Sequence, residues 1–413
     1  MQRMLKAMGI TLVLVMAMPS GVWAGGLAEQ ALGGALYFDP NLSINRNQSC
    51  SSCHLPAVGF DDPDSNLPVS EGSNLGLFGG RNAPSAAYAA FSPAPGYQDV
   101  DGESLFIGGQ FWDGRAFNLA KQAEGPPLND VEMDMPSKKA VVGRLAENPA
   151  YVIAFKAVYG IDIRKKANVE AAYTKMAKAI GEFERTRLFN RFNSKFDLFA
   201  VEQTGDAGNV SAFGVGTVNG QDNSYVGIPD NFSSRYFSRQ EAEGLALFNA
   251  MDKGKCAACH LITPTDGPDG KLVVPALLTD FTYDNLGIPV NPEIEKINPA
   301  VEIPDNGLGK LHDGENGKFK VMSLRNIGKT APYGHNGYFK TLKEIVHFYN
   351  TRDVANWPAP EVSENMNTDE LGDLGLSDAE EDAIVAFLKT LSDGIGPSPY
   401  GNVPVPPMPE PAP

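Results

Sequence analysis

The sequence predicts a mainly α fold built as two similar helical domains with long loops. Three observations carry this. The pentapeptide C-x-x-C-H occurs twice, as CSSCH (Cys50, Cys53, His54) and CAACH (Cys256, Cys259, His260), and together the copies use all four cysteines. Each copy follows a segment with helical spacing of apolar residues. The stretches between and after these segments are rich in Gly, Asn, Ser or Pro and show neither a helix nor a strand period. With 413 residues, 42% of them hydrophobic, the chain is long enough to bury two ordinary cores. The net charge of -16 argues against a nucleic-acid partner.

Residues 1–24 read as a secretory leader. Arg3 and Lys6 supply a charged start, ITLVLVMAM a short apolar run, and Val22 to Ala24 a small-residue cleavage site. The run is too short to span a bilayer. Export to the periplasm with cleavage near Ala24 is expected, and no other long apolar run suggests a membrane span. The first domain is expected over 25–236. It opens with the helical GLAEQALGGALYF before CSSCH and closes with a long loop insertion over about 201–235, rich in Gly, Asn and Ser. The second domain is expected over 237–394. Ser238 and Glu241 form a capping-box pair, after which Ala242, Leu245 and Phe248 repeat at helical spacing up to CAACH. Ser377 and Glu380 start a further helix over 376–391, with an apolar face of Ile384, Val385, Phe387, Leu388 and Leu391. The segment 395–413 is proline-rich and is expected to be extended or disordered.

C-x-x-C-H is the attachment signature of c-type haem. Two thiols three residues apart can add to the two vinyl groups of one porphyrin, and the adjacent histidine reaches the iron from one side. A zinc site would want more cysteines or histidines close by. Structural disulfides are the competing use in an oxidising compartment. Helix, haem loop, helix is the pattern of a class I cytochrome c-like domain, and it occurs twice, so two covalently bound haem c groups are expected.

The segments LGGALYFDPNLS, CSSCH, GGRNAPS, QFWDGRAFNLAKQAEGPPLNDVEM, CAACH, LRNIGKTAPYGHNGYFKTLKEIVHFY and AIVAFLKTL resemble the bacterial dihaem cytochrome c peroxidases. In ligand pattern they are closest to the methylamine-utilisation (MauG) type. They run in family order over most of the chain, leaving insertions near 90–108 and 201–235 outside. The resemblance implies a peroxidatic first haem and a second haem that passes electrons to it. It places Trp112 between the two, and Glu132 and Gln122 on the distal side of the first, near Pro126. An acid there can move a proton between peroxide oxygens and an amide can orient the peroxide. The resemblance also implies a Ca2+ held by Asn82 and by the backbone carbonyls of Thr330 and Pro332, hard oxygen donors that suit this ion.

Two features depart from the commonest family pattern. Many relatives carry a histidine after the first haem motif that blocks the iron, but this chain has no histidine between His54 and His260. The first haem is therefore expected to be open at rest, with Met133 and Met135 the nearest conceivable substitutes. The second departure concerns the outer ligand of the second haem, a methionine fourteen residues after the APY-x-H histidine in ordinary relatives. Here that position is Tyr349, as in the MauG type. His347 lies two positions away, on roughly the opposite helix face, and His335 is read as a supporting residue. A thioether raises the haem potential, whereas an anionic phenolate favours the oxidised iron. Three functions follow as expectations. One is a peroxidase reducing hydrogen peroxide with electrons from a small cytochrome c or cupredoxin. Another is a MauG-type oxidase acting on side chains of a protein substrate. The last is a dihaem electron carrier without catalysis, against which Glu132 and Gln122 argue.

Overall fold

A computed structural model describes residues 22–411, apart from 101, 206–207, 219–220 and 267–272. Most of the expected leader thus lies outside the described residues, with 22–24 opening the first helix. Helices dominate: α1 (Val22–Tyr37), α2 (Cys50–Cys53), α3 (Leu119–Ala123), α4 (Lys138–Glu147), α5 (Pro149–Tyr159), α6 (Val169–Glu184), α7 (Lys195–Thr204), α8 (Arg239–Asn249), α9 (Pro292–Ile297), α10 (Leu342–Thr351) and α11 (Asp378–Lys389). Sheet among the described residues is limited to four antiparallel pairs: β1 (Gly96–Val100) with β2 (Glu103–Ile107), β3 (Val215–Val218) with β4 (Gln221–Tyr225), β5 (Thr265–Asp266) with β6 (Val273–Val274), and β7 (Tyr283–Asp284) with β8 (Phe319–Lys320). No helix among the described residues is long and apolar enough to cross a membrane.

The helices form where their caps and apolar faces direct. Both expected capping boxes are present, Ser238 with Glu241 at α8 and Ser377 with Glu380 at α11. In the first half α1 packs on α6, and in the second α8 packs on α11. Each crossing is made at a glycine. A Cβ on Gly33 would fall 1.8 Å from the Ala179 carbonyl oxygen, and one on Gly244 would fall 1.9 Å from that of Ala383. The same close crossing in both halves, each beside a C-x-x-C-H loop, makes the halves structural counterparts.

Two hydrophobic cores result. One gathers residues of α1, α4, α5 and α6 with Phe189 and Phe192, and the other gathers α8, α10 and α11. Their division departs from the boundary at 236 read in the sequence. Phe196, Phe199 and Ala200 of α7 sit in the second core, while Val274 and Leu277 sit in the first. The 201–235 insertion also holds more structure than a plain loop. It contains the end of α7 and the β3–β4 pair, and it buries Val210 and Ile228 in the second core. The proline-rich segment is extended and packed, with Tyr400, Val403 and Val405 against the first core.

Ion pairs bind the halves together. Arg325 is fully buried and donates to both carboxylate oxygens of Asp197 at 2.9 and 2.7 Å. Arg81 donates to both oxygens of Asp305 at 2.6 and 2.8 Å and to Asp113 at 2.6 Å. These contacts keep the Asp305 carboxyl well below the usual range despite burial.

Candidate active site and haem cavities

A cavity of about 600 Å³ lies beside α2, with Cys50, Cys53 and His54 in its wall. His54 Nδ1 lies 3.2 Å from the carbonyl oxygen of Phe60, and the His54 carbonyl accepts a hydrogen bond from the Tyr37 hydroxyl at 2.8 Å. A backbone acceptor at Nδ1 fixes the tautomer that leaves Nε2 with a lone pair for a metal. Burial lowers the His54 pKa, which keeps the ring neutral. It also raises both thiols, that of Cys53 to about 12. Neutral, unpaired thiols beside a neutral histidine suit thioether attachment of a haem c.

Trp112, Gln122, Pro126, Glu132 and Met133 line the same cavity; Met135 is buried nearby but lies outside its wall. Gln122 stands on α3, whose first turn is capped by Asn118 accepting from the Lys121 amide at 2.9 Å. Glu132 follows the 3-10 turn at Pro126–Leu128 and accepts from Asn129 Nδ2 at 2.7 Å. Burial pushes the Glu132 carboxyl up, while nearby Arg115 and the Asn129 hydrogen bond pull it back. Arg115 is held by Asp113 at 2.8 Å and lies over the Phe111 ring, 3.7 Å from its centroid.

A second cavity of about 200 Å³ has Cys256, Cys259, His260 and Tyr349 in its wall. His260 repeats the geometry of His54, with Nδ1 2.9 Å from the Leu278 carbonyl oxygen, and burial lowers its pKa to about 4. Tyr349 turns into this cavity from α10. Burial, with the two thiols and Asp284 nearby, pushes its phenol up in the absence of a metal. His347 faces away, half exposed, with Nδ1 2.8 Å from Glu381. His335 borders the cavity, stacked on Phe319 with 3.7 Å between ring centroids and 3.1 Å from Glu361.

The two cavities share a wall that includes Trp112, Lys320, Val321, Met322 and Tyr333. Trp112 is held at both ends: its indole donates to the Asn82 carbonyl and its own carbonyl accepts from the Lys320 amide, each at 2.8 Å.

Comparison with known proteins matches residues 28–205 to the family model described as di-haem cytochrome c peroxidase. The chain is 34% identical to the methylamine utilization protein MauG of Paracoccus denitrificans over 400 residues, covering 90% of this chain and 92% of that protein. The chain belongs to the di-haem cytochrome c peroxidase family. It is also 28% identical to the cytochrome c551 peroxidase of Pseudomonas aeruginosa over 342 residues, covering 82% of this chain and 76% of the relative. Among solved structures, the diheme peroxidase BthA of Burkholderia thailandensis superposes with a TM-score of 0.71 at 27% identity, covering 92% of this chain and 90% of that one. A MauG-like protein associated with microbial copper homeostasis shares the fold, with a TM-score of 0.61 at 24% identity, over 91% and 93% of the two chains. As a member of this family the chain is an oxidoreductase of the peroxide-using class with a mostly helical diheme peroxidase fold, and the family implies two haem cofactors.

In this di-haem peroxidase Asn82, Thr330 and Pro332 all border the first cavity. Asn82 donates its amide group to the Pro68 carbonyl at 3.1 Å, and no hydrogen bond reaches its Oδ1 among the described residues. That leaves the Asn82 Oδ1 as a hard oxygen donor at this cavity. Several cavity residues went unread in the sequence. Arg115 and Asn129 set the charge and orientation of Glu132, and only Arg115 carried a signal, its place three residues after Trp112. Glu184 of α6 borders the first cavity with its carboxyl pushed up to about 8 by burial. Lys320 donates to the Gly109 carbonyl at 2.6 Å, and burial lowers its amine to about 7.

Proposed function

We propose that the chain is a periplasmic dihaem c-type peroxidase that reduces hydrogen peroxide to water in the cavity beside His54. The observation that carries this is Glu132, a carboxylate held by Asn129 and pointed with Gln122 into a cavity that also presents the C-x-x-C-H residues. In this reading Cys50 and Cys53 would attach the first haem and Cys256 and Cys259 the second, His54 would hold the iron of the first, and His260 with Tyr349 that of the second. Asn82, Thr330 and Pro332 would hold a calcium ion. The bound haem supplies the iron that takes up peroxide and the electrons that break its O–O bond. Glu132 accepts a proton from the near oxygen and returns it to the departing one, and Gln122 orients the peroxide by hydrogen bonding. Each peroxide takes two electrons and two protons and leaves as two waters. Trp112, held at both ends in the shared wall, would stand between the two haems when they are bound and could carry electrons across, with a small cytochrome c or cupredoxin as the donor.

Tyr349 favours a second reading within the same class. An anionic oxygen ligand lowers the tendency of the second haem to accept electrons from a small redox protein, so the electrons would instead be drawn from side chains of a partner protein, which is oxidised, as in a MauG-type oxidase. The deciding experiment for the common core is Glu132→Gln. With both haems loaded, this variant should react with hydrogen peroxide about 10²- to 10⁴-fold more slowly than the wild type in a rapid-mixing absorbance experiment. Reaction at the wild-type rate would remove Glu132 from the mechanism. Addition of peroxide to the fully ferric protein, with a reduced cytochrome or with a candidate protein substrate, then separates the two readings by which donor is consumed.

A further inference from the structure

The proline-rich segment beyond α11 has no part in the chemistry above, yet its course is specific. Past α11 the Ile395 amide donates to the Asn193 carbonyl at 3.2 Å, and the segment then runs along the first core. Tyr400, Val403 and Val405 pack against that core. Arg185, at the end of α6, donates to the carbonyls of Pro406 at 3.0 Å and Val405 at 3.4 Å. Met408 then lies against Gly181, and the Pro409 carbonyl accepts from Asn118 Nδ2 at 2.6 Å. Proline suits this course, since its ring fixes an extended backbone with no N–H to satisfy, leaving carbonyls to receive the donors of the body.

The course leads to the catalytic side of the first cavity. Asn118 caps α3 with its Oδ1 while holding the segment with its Nδ2, and α3 carries Gln122. Outside Glu132 lies a more open hollow of about 660 Å³, which shares Phe111, Arg115, Pro126, Asn129 and Glu132 with the first cavity. Pro411 forms part of its wall. The hollow is therefore an approach to Glu132 from the surface, and the proline-rich segment reaches it at Pro411.

We propose that Pro411, held in place by the anchored residues 408 and 409, is a specificity-determining part of this wall that admits small hydroperoxides to Glu132 and turns away bulky ones. This rests on the reading of the first cavity as the peroxide site. The segment acts by shape: stiff and pinned by Asn118 and Arg185, it does not yield to a larger ligand as a glycine-rich loop would.

The test uses the holoprotein and a variant that stops after Pro407, which keeps Val403, Val405 and the Arg185 contacts. Rates with hydrogen peroxide and with cumene hydroperoxide are measured by rapid mixing. Affinities of the resting ferric protein for cyanide and for imidazole are measured by absorbance titration. The shortened protein should keep its hydrogen peroxide rate and cyanide affinity. Its cumene hydroperoxide rate and imidazole affinity should rise about tenfold or more, the scale on which an apolar wall discriminates. Unchanged ratios in a folded, haem-loaded variant overturn the proposal. If the shortened protein does not load haem, Asn118→Ser decides by the same ratios, because serine keeps the cap but lacks the donor to Pro409. A wild type that reacts with neither hydroperoxide overturns the peroxide reading itself.

Discussion

Glu132 must be ionised to take a proton, and its burial works against that. Its carboxyl is displaced upward by desolvation, with Arg115 and Asn129 opposing. The rate of peroxide reaction should therefore fall, as pH is lowered, through an apparent pKa above the ordinary glutamate value of about 4.3. This acid limb should vanish from the pH profile of Glu132→Gln. Tyr349 gives a second expectation at this scale. Resting ferric protein should show one high-spin and one low-spin haem by electron paramagnetic resonance, because no histidine follows His54 until His260. Tyr349→Phe should alter the low-spin signal and the potential of the second haem, and Tyr349→Met should raise that potential. An unaltered second haem in Tyr349→Phe would direct attention to His347. Residues of this kind were legible unevenly. The cysteines and their histidines stand out by spacing alone, whereas Glu132 and Tyr349 needed the resemblance to the family. Lys320 and Glu184 were invisible, since a lone charge in a sequence says nothing about burial.

Among the elements, the paired glycine crossings invite a controlled comparison. A Cβ at Gly244 would meet the Ala383 carbonyl at 1.9 Å, so α8 and α11 must separate to admit it. Gly244→Ala should destabilise the fold by about 1–3 kcal/mol, as overpacking a tight contact does. Gly143 of α4 has open space where its Cβ would be. Gly143→Ala should instead stabilise by about 0.4–1 kcal/mol, through the unfolded chain. Thermal unfolding of the two variants checks the opposite signs. The long helices were readable because their capping boxes and apolar faces agree. The inserted strands were not. The β1–β2 pair flanks an Asp-Gly dipeptide, a hairpin signal that went unread. The β3–β4 pair is irregular between Gly216 and Val218 and is drawn from a stretch too rich in Gly, Asn and Ser to show alternation.

For the molecule as a whole, the sequence suggested two consecutive units meeting near 236, and the packing is reciprocal instead. Composition locates a flexible stretch but cannot tell which core a neighbouring helix joins, and the apolar face of α7 fits either reading. In the fold α7 lodges in the second core, while Val274, Leu277, Tyr400, Val403 and Val405 reach into or against the first. The buried Arg325–Asp197 pair ties α7 to the second half, and leaving either charge without the other costs about 3–5 kcal/mol. Thermal unfolding should accordingly show one calorimetric transition rather than two. A sharper consequence concerns a polypeptide severed between α7 and α8. Each fragment would keep a piece that completes the other: the first an α7 whose Phe196 and Phe199 have no core of their own, the second a set of apolar side chains missing from its partner. Such fragments should be insoluble or molten when produced singly. Produced together, they should reassemble into a nicked protein that purifies as one species, with Trp112 restored between the two cavities.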